Sequence, residues 1–338
     1  MNIIGAGPAG LFAAYSLAKA GIKATVHEED PKIGIPDHCA GLISKRLTDI
    51  IPKGDYIIQS VDGARIISGG SSFELHKKGV AYVVDRPKMD KFLADLALSA
   101  GATIKLNHRA HFMDFTGAVI DASGAGSLMR SHYGQQLKVL PAIQYRIKQE
   151  IDTVEAHLTP LAPEFFAWAV PEGDNCRVGL AAKRPDLDSF VKSRFGSPKI
   201  LSRSSGAVIV GGPVKRTVFG HRLLLGDAAG QVKAMTGGGV VMSLLCAQSA
   251  ASAIIEGDIG SYERLWREKV GRELSVSLMV RKFMNKVDRE KFVRFCSRNS
   301  YLLEQKGDMD FHSSVVLPIL TRPSNWPHLA GLLADAIF

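Results

Sequence analysis

A short apolar run, Asn2-Ile3-Ile4, leads straight into Gly5-Ala6-Gly7-Pro8-Ala9-Gly10. An apolar helix follows to about Ala20, and Gly21 stops it. Ile22 to His27 reads as a second strand with Glu28 at its end. A glycine-rich turn between strand and helix, with an acid about 20 residues on, is the signature of a βαβ unit that holds a dinucleotide. The three glycines have separate tasks. Gly5 makes the tight turn, Gly7 lets the backbone approach a pyrophosphate, and Gly10 lets the helix pack close to the strand. Glu28 is placed for the ribose hydroxyls of the adenosine, and an acid there argues against a 2′-phosphate.

The other end of the chain selects the dinucleotide. Arg222-Leu223-Leu224-Leu225 enters Gly226-Asp227-Ala228-Ala229-Gly230, and Thr236-Gly237-Gly238-Gly239 then opens a long apolar helix, roughly Val240 to Ile255. A carboxylate at the end of a buried strand suits a sugar-like hydroxyl. A helix start without side-chain caps offers N–H groups and a positive dipole end to a ligand that gathers negative charge. A flavin satisfies both: ribitol hydroxyls for Asp227, and the pyrimidine edge for Gly239 and Val240. The expected cofactor is therefore FAD rather than NAD. The stretch Thr236 to Ile255 approaches the length of a membrane span, but its glycines, serines and Gln248 make it a buried helix behind the flavin.

At 338 residues the chain can bury a large core and has room for two intertwined domains and a tail. Cys39, Cys176, Cys246 and Cys296 show no metal-ligand spacing and are too few for a disulfide scaffold. No metal is expected. With the first strand at Asn2 and no charged leader, the chain reads as cytoplasmic, with a peripheral membrane role open to it. The net charge of +9 is unevenly spread. Between Arg264 and Arg298 eleven lysines and arginines face four acids, interleaved with Trp266, Leu274, Leu278, Met279, Phe283 and Phe292. This reads first as amphipathic helices with a solvated face. Its functional alternatives are docking to an anionic membrane surface or to an acidic electron-donor protein. No recognition motif accompanies the charge, so nucleic acid is not an expected partner.

The fold class expected is α/β. A Rossmann-type FAD domain with a parallel sheet (1–55, 82–133 and 206–262) is interrupted by an antiparallel substrate-side sheet (56–81 and 134–205), and C-terminal helices occupy 263–338. Strand formers and turns without helical periodicity fill Tyr56 to Val84. Asp85-Arg86-Pro87 then starts a helix that Gly101 ends. Short strands are expected at Thr103 to Leu106, His111 to Phe115 and Ala118 to Asp121.

The order of these pieces resembles the para-hydroxybenzoate-hydroxylase-like flavoproteins and, among them, the geranylgeranyl reductase family. The resemblance runs from Asn2 to about Lys286. Its discriminating pieces are Pro36-x-x-Cys39-x-Gly41-x-x-Ser44 and Phe166-Ala167-Trp168-Ala169-Val170-Pro171, with Tyr262-Glu263-Arg264-Leu265-Trp266-Arg267 beyond them. The chain departs from the family pattern at Phe166, where tyrosine is usual, and at Val170, where phenylalanine is usual. Ser123-Gly124 stands where an Asp-Gly pair is usual, which predicts that no carboxylate orders the pyrophosphate region. The C-terminal portion is short.

The resemblance implies that FAD is held by Gly5, Gly7, Ala9, Gly10, Glu28, the backbone of Cys39, Ala40 and Gly41, Arg86, Ala110, Asp227, Gly239 and Val240. It implies an isoprenoid or lipid substrate beside Phe166, Trp168 and Pro171, and reduction of a prenyl double bond by hydride from the flavin. Cys39 and His38 are the candidate proton donors. Reducing equivalents would come from NAD(P)H or an acidic donor protein. Two rival activities share the fold: a flavin monooxygenase or halogenase, and an electron-transfer flavoprotein serving a quinone.

Overall fold

The computed structural model describes residues 1–337, with side chains to residue 332. Two sheets organise the chain. The first runs β13-β14-β7-β1-β2-β6, from β1 (Asn2–Ile4), β2 (Thr25–His27), β6 (Thr103–Lys105), β7 (Val119–Asp121), β13 (Val218–Phe219) and β14 (Arg222–Leu224). All its pairings are parallel except the β13–β14 hairpin. The carboxyl ends of the parallel strands therefore point one way, and the loops after them share one crevice.

Helices α1 (Pro8–Lys19) and α3 (Arg86–Ser99) pack against this sheet with α6 (Val240–Ile255). Helix α6 is apolar nearly all round because it is buried nearly all round: Met242, Leu244, Cys246, Ala247 and Ala250 are fully enclosed. Ala13 and Ala14 on α1 and Ala250 and Ala251 on α6 belong to one core, where small side chains let the helices approach closely.

The second sheet runs β12-β8-β11-β10-β9-β4-β5-β3. Its strands are β3 (Leu42–Ser44), β4 (Ile57–Ser68), β5 (Ser71–Val84), β8 (Val139–Ile147), β9 (Val154–His157), β10 (Ala167–Glu172), β11 (Asn175–Ala181) and β12 (Ile200–Ile209). It is antiparallel apart from β4–β9. The boundaries expected from sequence cut through two of its strands and leave a third, β3, on the other side. β3, the end of β5 and the last residues of β12 all belong to this sheet, because register is set by long-range partners that local composition does not report. His111 to Phe115 is not a strand. Phe112–Asp114 form a 3-10 turn, capped by His111 accepting from Met113 N–H while Asp114 accepts from His111 N–H. The smaller helices are α2 (Leu47–Ile50), α4 (Leu128–His132) and α5 (Leu187–Phe195).

The chain ends in helices, as expected: α7 (Tyr262–Trp266), α8 (Arg272–Met284), α9 (Arg289–Arg298), α10 (Ser300–Lys306), α11 (Ser313–Thr321) and α12 (Trp326–Ile337). Phe338, the last residue of the expected C-terminal region, lies outside the described residues. Most cations of the 264–298 segment are used internally. Arg264, Arg267 and Arg294 pair with acids one turn away. Arg281 donates to the Glu164 carbonyl, and Arg289 to the Ala162 carbonyl at 3.0 Å. Among the described residues no helix is long and apolar enough to cross a membrane.

A candidate cofactor and substrate cavity

The crevice at the strand ends continues into a cavity of about 1540 Å³, larger than the roughly 300–1,000 Å³ of a site for one small molecule. Under the first sheet its wall is glycine-rich and polar. Between the second sheet and α8, α9 and α11 it is apolar, with Phe73, Val154, Phe166, Phe283, Val315 and Ile319.

The first glycine turn has the tight bend at Gly5 and the close helix packing at Gly10 that were expected. Gly5 has φ +96°, and a Cβ there would lie 2.5 Å from the Ala122 carbonyl oxygen. At Gly10 a Cβ would lie 2.1 Å from the Gly5 carbonyl oxygen, so helix and strand touch through a hydrogen. Gly10 accordingly does not line the cavity, whereas Gly5, Gly7 and Ala9 do. A Cβ on Gly7 would meet no protein atom within 4 Å; the space beside it is open for a ligand. Gly7 caps α1 with no side-chain bond and Pro8 follows, leaving N–H groups for an anion. Glu28 accepts from Ala6 N–H at 2.6 Å and from Asp30 N–H at 3.0 Å, which fixes its carboxylate at the end of β2.

One expectation fails here. The pyrophosphate-side loop is ordered by a carboxylate after all, supplied by Asp121 two positions earlier. Asp121 accepts from Ser123 N–H at 2.9 Å, from Ser123 Oγ at 2.5 Å and from Ser127 Oγ at 2.6 Å. The strand ends at Asp121, where the sequence placed it, and the acid acts from the strand end instead of from the position before the glycine.

Asp227 and the triple glycine meet at the far side. Gly226 has φ +66° and lies against Ala9, bringing the two glycine clusters together from opposite ends of the chain. Asp227 opens onto the cavity. Enclosure by protein pushes its carboxyl above the usual range, against the opposing pull of Arg86. Gly239 caps α6 without a side-chain bond. Ala110, Gly239 and Val240 all line the wall. Arg86 lines it too, but its guanidinium is engaged with Asp90 at 3.0 Å. Its pKa is raised, since Asp90 and Cys39 outweigh burial.

The Cys39 loop sits between the two lobes and is clamped by residues that sequence reasoning missed. Gln144 Nε2 and Arg177 Nη1 donate to the Cys39 carbonyl at 3.1 and 3.2 Å. Arg177, 2% exposed, also forks onto Glu172 at 2.6 and 2.9 Å. Gly41 has φ +75° and passes so close to Arg177 that a Cβ would lie 2.4 Å from the guanidinium. Gly41 N–H donates to Cys39 Sγ at 3.3 Å. His38 is exposed at the cavity edge, packed over Gly206.

Trp168 Nε1 donates to Gln144 Oε1 at 3.1 Å, so one glutamine joins the aromatic wall to the Cys39 loop. Phe166 stacks on Phe165 and meets Trp168 edge-on. Pro171 does not line the cavity. Strand alternation turns Trp168 and Val170 inward and puts Pro171 on the opposite face with Ala167 and Ala169.

A buried polar group from the C-terminal segment was also not foreseen. Lys233 Nζ donates to Asp310 Oδ1 at 2.7 Å and to the Met309 carbonyl at 2.6 Å. Asp310 Oδ2 and His312 Nδ1 are buried without a partner, and both residues line the cavity. Nothing local in the sequence pairs residues this far apart. No group of side chains able to hold a metal occurs among the described residues.

The open space at Gly7, two uncapped helix starts and the carboxylates of Glu28 and Asp227 fit an FAD. A family described as FAD dependent oxidoreductase matches residues 2–125. A digeranylgeranylglycerophospholipid reductase of Methanothrix thermoacetophila is 30% identical over 336 residues, covering 83% of this chain and 86% of that protein. The chain belongs to the geranylgeranyl reductase family of FAD-dependent oxidoreductases. A digeranylgeranylglycerophospholipid reductase 2 of Methanothermobacter thermautotrophicus is 28% identical and covers 99% of the chain and 98% of its own length. Among solved structures, a geranylgeranyl bacteriochlorophyll reductase-like protein from Thermoplasma acidophilum superposes with a TM-score of 0.84 at 23% identity, covering 99% of this chain and 98% of that one. A flavin-dependent brominase shares the fold at a TM-score of 0.67 and 16% identity, covering 98% of each chain.

Proposed function

We propose that the chain reduces isoprenoid carbon–carbon double bonds of the geranylgeranyl type, carried on a lipid. The observation that carries this reading is the single cavity, polar at the strand ends and apolar beyond the Cys39 loop. The relatives' names specify a digeranylgeranyl glycerophospholipid, whose long unsaturated chains suit such an apolar lobe. The division into a cofactor-binding part, a substrate-side sheet and a C-terminal helical cap belongs to this proposal, as does a cytoplasmic location.

An isolated alkene is not electrophilic. Its reduction needs a hydride on one carbon and a proton on the other, with positive charge building at the more substituted carbon. FAD, held by the Gly5–Gly10 turn, Glu28 and Asp227, would supply the hydride, with NAD(P)H or an acidic donor protein as the source of reducing equivalents. Phe166, Trp168 and Val170 hold the alkene and exclude water. Cys39 gives the proton: its S–H bond breaks as the new C–H bond forms. The thiolate left behind is received by Gly41 N–H, already 3.3 Å from the sulfur, and by the neighbouring Arg86. His38, at the exposed edge, returns a proton from solvent to the thiolate.

Anaerobic incubation of the dithionite-reduced holoprotein with a geranylgeranyl phospholipid should give products heavier by two hydrogens per reduced bond. Cys39→Ala should lower that turnover by roughly 10² or more while the flavin absorbance is retained. No mass gain with either the lipid or geranylgeranyl diphosphate would overturn the reading. Products that require oxygen or halide would move it to the monooxygenase or halogenase class.

A further inference from the structure

We infer that the tip built by α11, the turn after it and the start of α12 docks onto an anionic lipid bilayer, and that the apolar lobe of the cavity communicates with this face. Only the entry route rests on the lipid-reductase reading; the docking itself does not.

Four large apolar side chains are exposed here: Tyr301 at 65%, Trp326 at 58%, Leu317 at 43% and Leu320 at 42%. Tyr301, Leu317, Pro318, Lys306 and Arg322 line one shallow groove. A contiguous apolar patch of this kind marks an interaction site, and tryptophan and tyrosine beside lysine and arginine are the composition of a membrane interface. The tip is held in this shape. Asn325 is buried and donates to the Ile319 carbonyl and to Asn299 Oδ1, both at 3.0 Å. Trp326 Nε1 donates to the Leu320 carbonyl at 3.1 Å. The indole is thereby fixed outward instead of collapsing onto the core.

Charge identifies the occupant. Neither Lys306 nor Arg322 has an acidic partner among the described residues, in contrast to the internally used arginines of α7 to α9. A second copy meeting this face across a two-fold axis would bring its own Lys306 and Arg322 against them, like charge facing like. Anionic headgroups would neutralise them instead. Leu320 supplies the link to the cavity: it is exposed on this face and also lines the cavity, together with Val316, Ile319 and Leu329. A lipid chain leaving a bilayer at the tip would meet the apolar lobe without crossing a polar surface.

Oxidised holoprotein without substrate is floated with vesicles of phosphatidylglycerol and phosphatidylcholine, and with phosphatidylcholine alone. Binding is expected to the anionic vesicles, with a blue shift of tryptophan emission that Trp326→Ser abolishes. Trp266 is fully buried and Trp168 lies in the cavity wall, so the shift reports the tip. Lys306→Glu with Arg322→Glu should weaken binding roughly 30-fold, and Trp326→Ser at least roughly tenfold, each with FAD content and melting temperature retained. Three results overturn the proposal. These are absence of flotation, flotation lost only on Lys282→Glu with Lys286→Glu, and a concentration-dependent dimer in ultracentrifugation that Trp326→Ser dissociates. Failure of docking leaves the two-hydrogen mass gain untouched, so the two proposals fail separately.

Discussion

The two ends of the cavity are built by opposite means. At the proposed cofactor end the wall is mostly backbone, with glycines lacking Cβ atoms and two uncapped helix starts, joined by the carboxylates of Glu28 and Asp227, all within short stretches of sequence. At the apolar end the wall is made of side chains from many elements, held by buried polar contacts between distant residues. Lys233–Asp310, Arg177 on the Cys39 carbonyl and Gln144 between Trp168 and Cys39 are those contacts. A backbone site is vulnerable to added atoms, and a side-chain site to removed ones.

Gly10→Val puts that contrast to its strongest test. A side chain there would drive α1 off β1, and more than about 3 kcal/mol of stability should be lost, seen as insoluble or colourless protein. Gly7→Ala is the control within the same turn. Its apoprotein should melt with the wild-type apoprotein yet fail to retain FAD, because its methyl enters the open space proposed for the ligand; retention of FAD would remove Gly7 from the site. At the apolar end, Lys233→Met leaves Asp310 a buried uncompensated charge and should cost about 3–5 kcal/mol in denaturant titrations. Adding Asp310→Leu should recover most of it. A single Lys233→Met that is neutral would show that the pair does not hold the C-terminal segment.

Asp227→Ala should weaken FAD retention roughly 10- to 100-fold, the range of a lost hydrogen bond to a charged group, with little change in the melting of the apoprotein. The smallest effect concerns pH. Burial, with Lys233 nearby, lowers His312 from 6.5 to about 4 against the opposing pull of Asp310 and Asp308. Its folded pKa lies below the unfolded one, so its contribution to stability is complete above pH 6.5 and is lost as pH falls toward 4. His312→Gln should therefore lessen the loss of stability between pH 7.5 and 5.5 by about 1 kcal/mol. His27, lowered to about 4 first by burial and then by His108, retains its own acid sensitivity at the cofactor end and serves as the internal comparison.

Legibility followed the same division. The tight turn at Gly5, the close packing at Gly10 and the helix starts after Gly7 and Gly239 were legible from spacing because a strand, a turn and a helix start are local events. The range Val240 to Ile255 was read correctly for α6, since an apolar run between a triple glycine and Glu256-Gly257 has one local solution. The strand end at Asp121 was read correctly, but Ser123 was taken as a lost carboxylate, because the bonds that Ser123 and Ser127 donate to Asp121 depend on loop geometry that spacing does not report. Pro171 was assigned to the substrate wall by motif, but its side is decided by the pleat of β10. Docking was the alternative reading of the basic segment, and several of its arginines are bonded to the Glu164 and Ala162 carbonyls and to acids one turn away. The tip at Leu320 to Trp326 drew no attention, since exposure leaves no mark on a short apolar sequence.

The sequence by itself determined the cofactor, the parallel sheet and the family, because each depends on residues within a few turns of one another and on backbone conformations that only glycine reaches cheaply. Tertiary structure alone decided what surrounds Cys39, which face of β10 lines the cavity, and how Lys233 reaches Asp310. These depend on register and on contacts across more than a hundred residues, such as Gln144 and Arg177 on the Cys39 carbonyl. Such partners are chosen by packing, and one-dimensional pattern carries no record of that choice.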